Sequence, residues 1–180
     1  MVKDGKEGIV NRNGNVIADI EYEYIYSLPN ECFVVRYDYG SLFGIIDASG
    51  NLVFDFEYDG IYEIYGKNFI YATKVTEEGR ELVQIDLIKK EMISLFDFEY
   101  DGISFILDDL IWVNNHDDGY LVGAINKNNE VVVDLKYDSI SKVSYEGKDV
   151  VIVGKDGLRG LVDDKGQLLI PIEYDRISAS

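Results

Sequence analysis

The sequence is poor in the residues that most often support chemistry or cross-linking. Its 180 residues include one cysteine, one histidine, one tryptophan and two prolines. Cys32 cannot form an internal disulfide, which argues against a small secreted scaffold held together by bridges. His116 is too isolated for a two-histidine metal site or a histidine relay, and its place in Asn114–Gly119 predicts a solvated hairpin loop.

Basic residues are also scarce. The chain has 17 Lys plus Arg against 34 Asp plus Glu, a formal net charge of -17, and a pI near 4.3. A protein that follows a phosphate backbone or an anionic membrane needs a cationic surface. We therefore predict no nucleic-acid partner and no membrane partner.

Long apolar runs are missing as well. No stretch approaches the roughly 18 residues of a membrane-spanning helix, and Met1–Gly5 lacks the apolar stretch of a signal peptide. We expect a cytoplasmic protein, although a leader that had been removed would leave no trace. With 47% hydrophobic and 13% aromatic residues, the acidity belongs to a folded chain.

What the chain does contain is repetition. One phrase of six residues recurs five times. It consists of an apolar residue, a second residue that is usually Glu, then Tyr, then Asp or Glu, then any residue, and finally Ile. Its tyrosines are 36 to 42 residues apart: Tyr22, Tyr58, Tyr100, Tyr137 and Tyr174. A glycine stands fourteen residues before four of them, at Gly8, Gly44, Gly123 and Gly160, whereas Asp86 stands there in the third unit.

Each unit reads as short strands joined by tight turns. Asn11, Asp47, Asn126 and Asp163 open turns that Gly14, Gly50, Asn129 and Gly166 close, which predicts Asx turns with positive φ at the last residue. The third unit, with Lys89-Lys90-Glu91-Met92, lacks these residues and is expected to have a distorted or wider turn. After each turn, apolar and polar residues alternate as far as the tyrosine, which is typical of a half-buried strand.

This alternation predicts a core face and an acidic face. The core face carries apolar residues such as Val16, Leu52, Val131 and Leu168 and ends at the tyrosine. We call the outward carboxylates the acidic ridge, a candidate surface for a partner: Asp19, Glu21, Asp55, Glu57, Asp97, Glu99, Asp134 and Glu173. Solvation of exposed strands is the simpler interpretation, and docking of a basic partner is the functional one.

The predicted fold is therefore all-β. It is a tandem array of about five antiparallel hairpin or meander repeats, arranged as an open or curved stack, with a propeller-like closed ring as the alternative. We expect one repeat domain over residues 1–180, with units near 1–37, 38–74, 75–115, 116–153 and 154–180.

The repeat resembles the bacterial WG repeat, also called the KWG repeat, over about residues 8–177. The resemblance lies in Gly-apolar-apolar-Asp/Asn, a three-residue turn, an apolar strand and Tyr-Asp-x-Ile. The tryptophan that names the family is replaced in every unit, by Glu7, Phe43, Ile85, Val122 and Arg159. The resemblance implies a tandem β array with protein interaction as its usual supposed role and no common enzymatic chemistry.

No catalytic, cofactor or metal site emerges from the residues. There is no phosphate-binding glycine loop, and the Asx turns lack the distal ligands of a calcium loop. Catalytic carboxylates need distinct environments, whereas these recur in equivalent ones. We predict no enzyme, no cofactor and no metal.

The leading functional hypothesis is a non-catalytic module that binds another protein through its acidic β surface. One alternative is an acidic immunity or inhibitor protein that neutralises a basic toxin or nuclease. A carbohydrate-binding or enzymatic role, suggested by the 14 tyrosines, is the third and weakest.

Overall fold

A computed structural model gives the architecture, and it describes residues 1–63, 66–107, 110–116, 119–145 and 148–178. These residues form antiparallel strands and one 3-10 turn, Pro29–Glu31. The strands are β1 (Val2–Lys3), β2 (Lys6–Val10), β3 (Val16–Tyr22), β4 (Tyr24–Ser27), β5 (Phe33–Arg36), β6 (Phe43–Ile46), β7 (Leu52–Glu63), β8 (Phe69–Thr76), β9 (Gly79–Asp86), β10 (Glu91–Phe98), β11 (Gly102–Leu107), β12 (Leu110–Asn115), β13 (Leu121–Asn126), β14 (Val131–Tyr137), β15 (Ser139–Tyr145), β16 (Lys148–Lys155), β17 (Leu158–Val162) and β18 (Leu168–Tyr174). In these ranges no helix is long and apolar enough to cross a membrane.

The sheets are meanders in which consecutive strands pair. β1–β3 form one sheet, β4–β10 a seven-stranded sheet, and β11–β14 and β15–β18 two four-stranded sheets. The repeating element has four strands and begins one or two residues after the repeat tyrosine, as in β11–β14. The seven-stranded sheet joins two such elements because β7 is shared, its first half pairing with β6 and its second half with β8. The predicted all-β tandem array is confirmed.

The contacts of the chain divide it into two compact units, residues 1–98 (unit 1) and residues 99–180 (unit 2). Each unit has its own buried clusters. In unit 1, Ile45 and Tyr58 pack with Ile70 and Val83, and in unit 2 Tyr137 packs with Val151, Val153 and Val162. The single domain, the five unit boundaries and the choice between a stack and a ring stay predictions.

The predicted Asx turns are confirmed. In the first one, Asn11 Oδ1 accepts hydrogen bonds from the backbone N–H groups of Asn13 and Asn15, both at 3.0 Å. The closing residue has a positive φ, including 61° at Asn129, the one non-glycine of the four. In the third unit the carbonyl of Asp86 accepts from Lys90, four residues on rather than three, so the expected wider turn is also confirmed.

The repeat glycine faces a wide bulge in the fourth strand. In unit 2, Val122 pairs with Tyr137 and Ala124 with Val133, so four residues of β14 span only two of β13. The same displacement recurs between β2 and β3, β6 and β7, and β17 and β18. A Cβ on Gly123 would lie 2.6 Å from the carbonyl oxygen of Val133, and one on Gly8 would lie 2.8 Å from that of Ala18. Glycine is therefore required by close packing against the bulged strand.

The third unit corrects the sequence alignment. Asp86 opens the turn, so Val83 and not Asp86 occupies the place of the repeat glycine, and Leu82 rather than Ile85 precedes it. The facing strand, β10, has a single one-residue shift between Ser94 and Phe96 in place of the wide bulge. The glycine and the bulge are lost together, because a valine side chain needs the space that the bulge would fill.

The predicted core face is only partly buried. Its first residue in each strand is exposed: Val16 by 57%, Leu52 by 48%, Val131 by 55% and Leu168 by 51%. These residues adjoin the turns, where only one neighbouring strand covers them. Burial increases toward the tyrosine, and Tyr22, Tyr58 and Tyr137 are buried.

Two of the tyrosine anchors are less buried. Tyr100 is half-buried and Tyr174 is exposed. Tyr22 and Tyr137 are covered by strands of the sheet that follows, and Tyr58 by later strands of its own sheet, whereas no described strand follows β18.

Candidate functional site

Seven of the eight carboxylates of the acidic ridge lie on the fourth strands of the repeats. In unit 1, Asp19 and Glu21 lie on β3, Asp55 and Glu57 on β7, and Asp97 on β10; in unit 2, Glu99 precedes β11, Asp134 lies on β14 and Glu173 on β18. Glu57 is half-buried and the other seven are exposed. The outward direction expected for this face is thus found at these positions.

The ridge is not a row of carboxylates on adjoining strands. In unit 1, β7 pairs with β6 and β8, and β3 pairs with β2, so the acidic strands do not hydrogen-bond to one another. Like charges directly opposite on paired strands are destabilising, and this arrangement avoids them. A continuous ridge along the array stays a prediction, whereas separate acidic pairs on single strands are observed.

Few lysines neutralise these carboxylates. Glu57 Oε2 lies 2.8 Å from Lys74 Nζ, and Asp134 Oδ2 lies 2.7 Å from Lys136 Nζ. In the part of the chain that the structure describes, Asp19, Glu21, Asp55 and Asp97 have no ion-pair partner. Their charge is therefore available to a partner or to solvent.

The acidic residue just after the tyrosine has a structural role instead. The carboxylate of Asp138 accepts from the backbone N–H of Asp156 at 2.7 Å and from Lys155 Nζ at 3.2 Å, and these bonds lower its pKa. Asp59 accepts from the Thr73 hydroxyl, and Asp101 from the backbone N–H of His116 at 2.8 Å. These carboxylates join the end of the fourth strand to the second strand of the next element.

Neither Cys32 nor His116 stands in a reactive arrangement. Cys32 is buried, and burial raises the pKa of its thiol, which disfavours the nucleophilic thiolate. His116 is exposed, with Nδ1 3.4 Å from Asp101 Oδ2 and its ring near Tyr120. Among the described residues, no group of three or more His, Cys, Asp or Glu side chains could hold a metal ion.

Each compact unit also has a cleft at an equivalent place in the repeat. The unit 1 cleft, of about 240 Å³, is lined by Val34, Phe43 and Ile61 together with Tyr24, Tyr26, Leu28 and Glu63. The unit 2 cleft, of about 320 Å³, is lined by the corresponding Trp112, Val122 and Ile140 together with Ser104, Val113, Asn114, Tyr120, Asp138 and Ser139. Both lie between the second strand of one repeat element and the first strand of the next.

Sequence reasoning missed both clefts. Trp112 packs against the unit 2 core and also lines the cleft. The available signal was Trp112 and Asn114, two residues apart on one strand and therefore on one face. Nothing in the sequence placed Ser139 and Ile140 opposite them.

The repeated four-stranded meander, with its bulge, glycine and Asx turn, defines a tandem β-repeat protein. The chain belongs to the WG repeat family, because the model for the "WG containing repeat" matches residues 8–39, 43–74, 123–158 and 160–179. The resemblance drawn from the sequence is thus confirmed. The match omits the third unit, where Val83 replaces the repeat glycine. No curated protein matches the chain.

Several solved structures share a broad likeness. A putative TolB from Agrobacterium tumefaciens has 11% identity and a TM-score of 0.47, with 89% of this chain and 70% of that chain covered. An uncharacterized protein from Listeria monocytogenes EGD-e has 12% identity and a TM-score of 0.49, with 84% and 52% covered. A gluconolactonase from Xanthomonas campestris has 11% identity and a TM-score of 0.42, with 92% and 67% covered. At these values the likenesses carry no argument about this chain.

Proposed function

We propose that this WG-repeat chain is a non-catalytic interaction module that binds a basic protein through the acidic ridge of unit 1. The observation that carries the proposal is the set of exposed carboxylates on β3, β7 and β10 that no lysine or arginine of the described chain neutralises. A surface of this kind accelerates encounter with a cationic partner and discriminates against acidic ones.

The environment of these carboxylates supports binding rather than catalysis. General acid and base catalysis by carboxylates depends on environments that separate their pKa values. Asp19, Glu21, Asp55 and Asp97 are all exposed on strand surfaces, where solvent keeps their environments alike. Recurrence at equivalent positions suits an extended surface.

The test compares the affinity for a captured basic partner at two salt concentrations. A partner would be isolated with the whole chain as bait at low salt and then purified, and its affinity measured by calorimetry at about 50 mM and about 300 mM NaCl, over which the screening length shortens markedly. We expect the affinity to fall at least about tenfold, a loss of about 1.4 kcal/mol. The Asp55→Asn plus Asp97→Asn variant should bind more weakly and depend less on salt.

A matched variant separates the ridge from bulk charge. Glu77 and Glu78 are exposed in the turn between β8 and β9, away from the fourth strands. Glu77→Gln plus Glu78→Gln removes the same two charges and should leave the affinity near that of the unmodified chain. An affinity that ignores both salt and the Asp55/Asp97 replacements would refute the docking role.

A further inference from the structure

The unit 2 cleft contains polar groups that the protein itself does not satisfy. Trp112 Nε1 and Asn114 Oδ1 are both shielded from solvent, and neither has a hydrogen-bond partner. Buried polar atoms are nearly always paired, because an unpaired one costs about 1 to 3 kcal/mol. A donor and an acceptor are therefore left unsatisfied side by side on one face of β12.

None of the residues that line the equivalent cleft of unit 1 is among the described residues with a buried, unpaired polar side-chain atom. There the Tyr26 hydroxyl donates to Glu63 Oε2 at 2.6 Å, and the place of Trp112 is taken by Val34. Arg36, which corresponds to Asn114, lies against the rings of Tyr24 and Phe43; its Nε is also buried and unpaired, but Arg36 does not line the cleft. The unpaired donor and acceptor lining a cleft are thus a property of the unit 2 cleft and not of the repeat in general.

The lining groups define the chemistry of an occupant. Hydroxyls both donate and accept, so one polyhydroxylated molecule can serve the indole N–H and the amide oxygen together. The rings of Trp112 and Tyr120 offer surface to an apolar face, and Ser104 and Ser139 add further hydroxyls. No lysine or arginine lines this cleft among the described residues, and the chain is strongly acidic, so an anion is disfavoured.

The volume of the cleft and the hydrogen bonds already made by Asp138 restrict the class of ligand further. About 320 Å³ falls in the range of small-molecule pockets and is large enough for one sugar ring. Asp138 is already engaged by Lys155 and the backbone of Asp156, which leaves little free negative charge for a cation.

We propose that the unit 2 cleft binds a neutral sugar unit, with Trp112 Nε1–H donating to one hydroxyl and Asn114 Oδ1 accepting from another. Because both atoms are shielded without a ligand, the proposal requires the side chains around them to rearrange slightly when the sugar binds. This site is separate from the acidic ridge and does not depend on the proposed protein partner.

The single tryptophan provides the measurement. Methyl glycosides of glucose, galactose, mannose and N-acetylglucosamine would each be titrated into the whole chain while Trp112 emission is recorded. We expect at least one of them to give a saturable change with a dissociation constant in the millimolar range, the scale of a small ligand with few contacts. Asn114→Leu should weaken that binding at least about tenfold, since a site built to pair a hydroxyl loses it.

Two further variants make the result decisive. Asn115 Oδ1 is also buried and unpaired, but Asn115 lies on the opposite face of β12 and does not line the cleft, so Asn115→Leu should leave binding unchanged. Trp112→Phe keeps an aromatic ring but removes the N–H, and it should weaken binding when measured by calorimetry. Thermal unfolding of each variant shows that it is folded. The absence of a saturable response to all four glycosides would overturn the proposal, as would an equal loss in Asn115→Leu.

Discussion

Asp47 shows how one side chain can serve a turn and a tertiary contact together. Its Oδ1 accepts from the backbone N–H groups of Ser49 and Asn51 at 2.9 and 3.0 Å, and its Oδ2 lies 2.9 Å from Lys90 Nζ. The hydrogen bond from Lys90 is the largest of the effects that hold the pKa of Asp47 at about 2, against an ordinary value of 3.8. The second Asx turn of the sequence thus becomes a contact between the β6–β7 and β9–β10 turns.

This pair predicts a specific acid dependence of stability. Because the pKa of Asp47 is lower in the folded chain, its contribution is present above about pH 4 and is lost as the pH falls toward 2. Asp47→Asn keeps the turn bonds, as Asn11 and Asn126 do, but loses the ion pair. At pH 7 we expect a loss on the order of 1 kcal/mol, discounted for a partly solvated pair, and the difference should shrink toward zero as the pH falls through about 2.

Urea unfolding of the two proteins at several pH values between 2 and 7 measures this difference. Asp163 makes the same turn bonds to Lys165 and Gln167 without a lysine ion pair among the described residues, so Asp163→Asn is the matched control and should change the acid dependence less. A gap between Asp47→Asn and the unmodified chain that stays constant with pH would show that the ion pair is unimportant.

At the scale of elements, turn glycines with the same backbone angle have different surroundings. Gly14 and Gly50 have φ of 82° and 80°. A Cβ on Gly14 would meet open space, whereas a Cβ on Gly50 would overlap the carbonyl oxygen of Ile17 on β3. Gly166 approaches the carbonyl of Val132 on β14 in the same way. The hairpin turn of one element therefore packs against the fourth strand of the element before it.

Alanine substitutions separate these two effects. Gly14→Ala should cost about 1 to 2 kcal/mol, the penalty of a left-handed conformation for a residue with a Cβ. Gly50→Ala should cost about 1 to 3 kcal/mol more, because the strand and turn must also move apart. Thermal or urea unfolding measures both, and Gly166→Ala should behave like Gly50→Ala. Equal losses at Gly14 and Gly50 would contradict the packing of turn on strand.

The sequence predicted those parts of the fold that depend on local chemistry. The Asx turns, the left-handed Asn129 and the wider third turn follow from side chains acting on their own backbone, and all three were found. The wide bulge between Val133 and Tyr137 was not predicted, because alternation of side chains reads the same with or without extra residues opposite the partner strand. The third repeat was misaligned because Asp86 stands fourteen residues before Tyr100, the distance that separates glycine from tyrosine in the other units, so Asp86 was taken for the glycine position.

The candidate sites were predictable to different degrees. Exposure of Asp19 and Asp55 followed from period-two alternation, but separation of the acidic strands depends on sheet order, which the sequence left open. The unit 2 cleft is even harder to predict from the sequence, because it brings together Trp112 and Ser139, which belong to different sheets. To predict a site that lies between two sheets, one must know how the sheets pack, and the hydrophobic pattern alone does not specify that packing.

At the scale of the whole molecule, the net charge of -17 acts on every folded element at once. The two compact units share this charge almost equally, so neither is neutral. The ion pairs of Glu57 with Lys74 and of Asp134 with Lys136 are partly or fully solvated, and such pairs contribute about 0.2 to 1 kcal/mol each. With 34 acidic residues against 17 basic ones, we expect repulsion among the remaining carboxylates to outweigh these pairs.

Salt should therefore stabilise this protein rather than weaken it. Raising NaCl from about 10 mM to about 300 mM shortens the screening length from about 30 Å to less than 10 Å and reduces the repulsion more than it reduces the few ion pairs. We expect the first thermal transition in calorimetry to rise by about 2 to 4 °C, equivalent to about 1 kcal/mol for a chain of this size. Sodium chloride is preferable to sulfate, which stabilises proteins through exclusion from their surface.

A variant with Asp19, Asp55 and Asp97 each replaced by Asn should start from a higher transition temperature at low salt and gain less from NaCl. A transition that falls with added NaCl would mean that the ion pairs, and not the unpaired carboxylates, dominate the electrostatic energy of the fold.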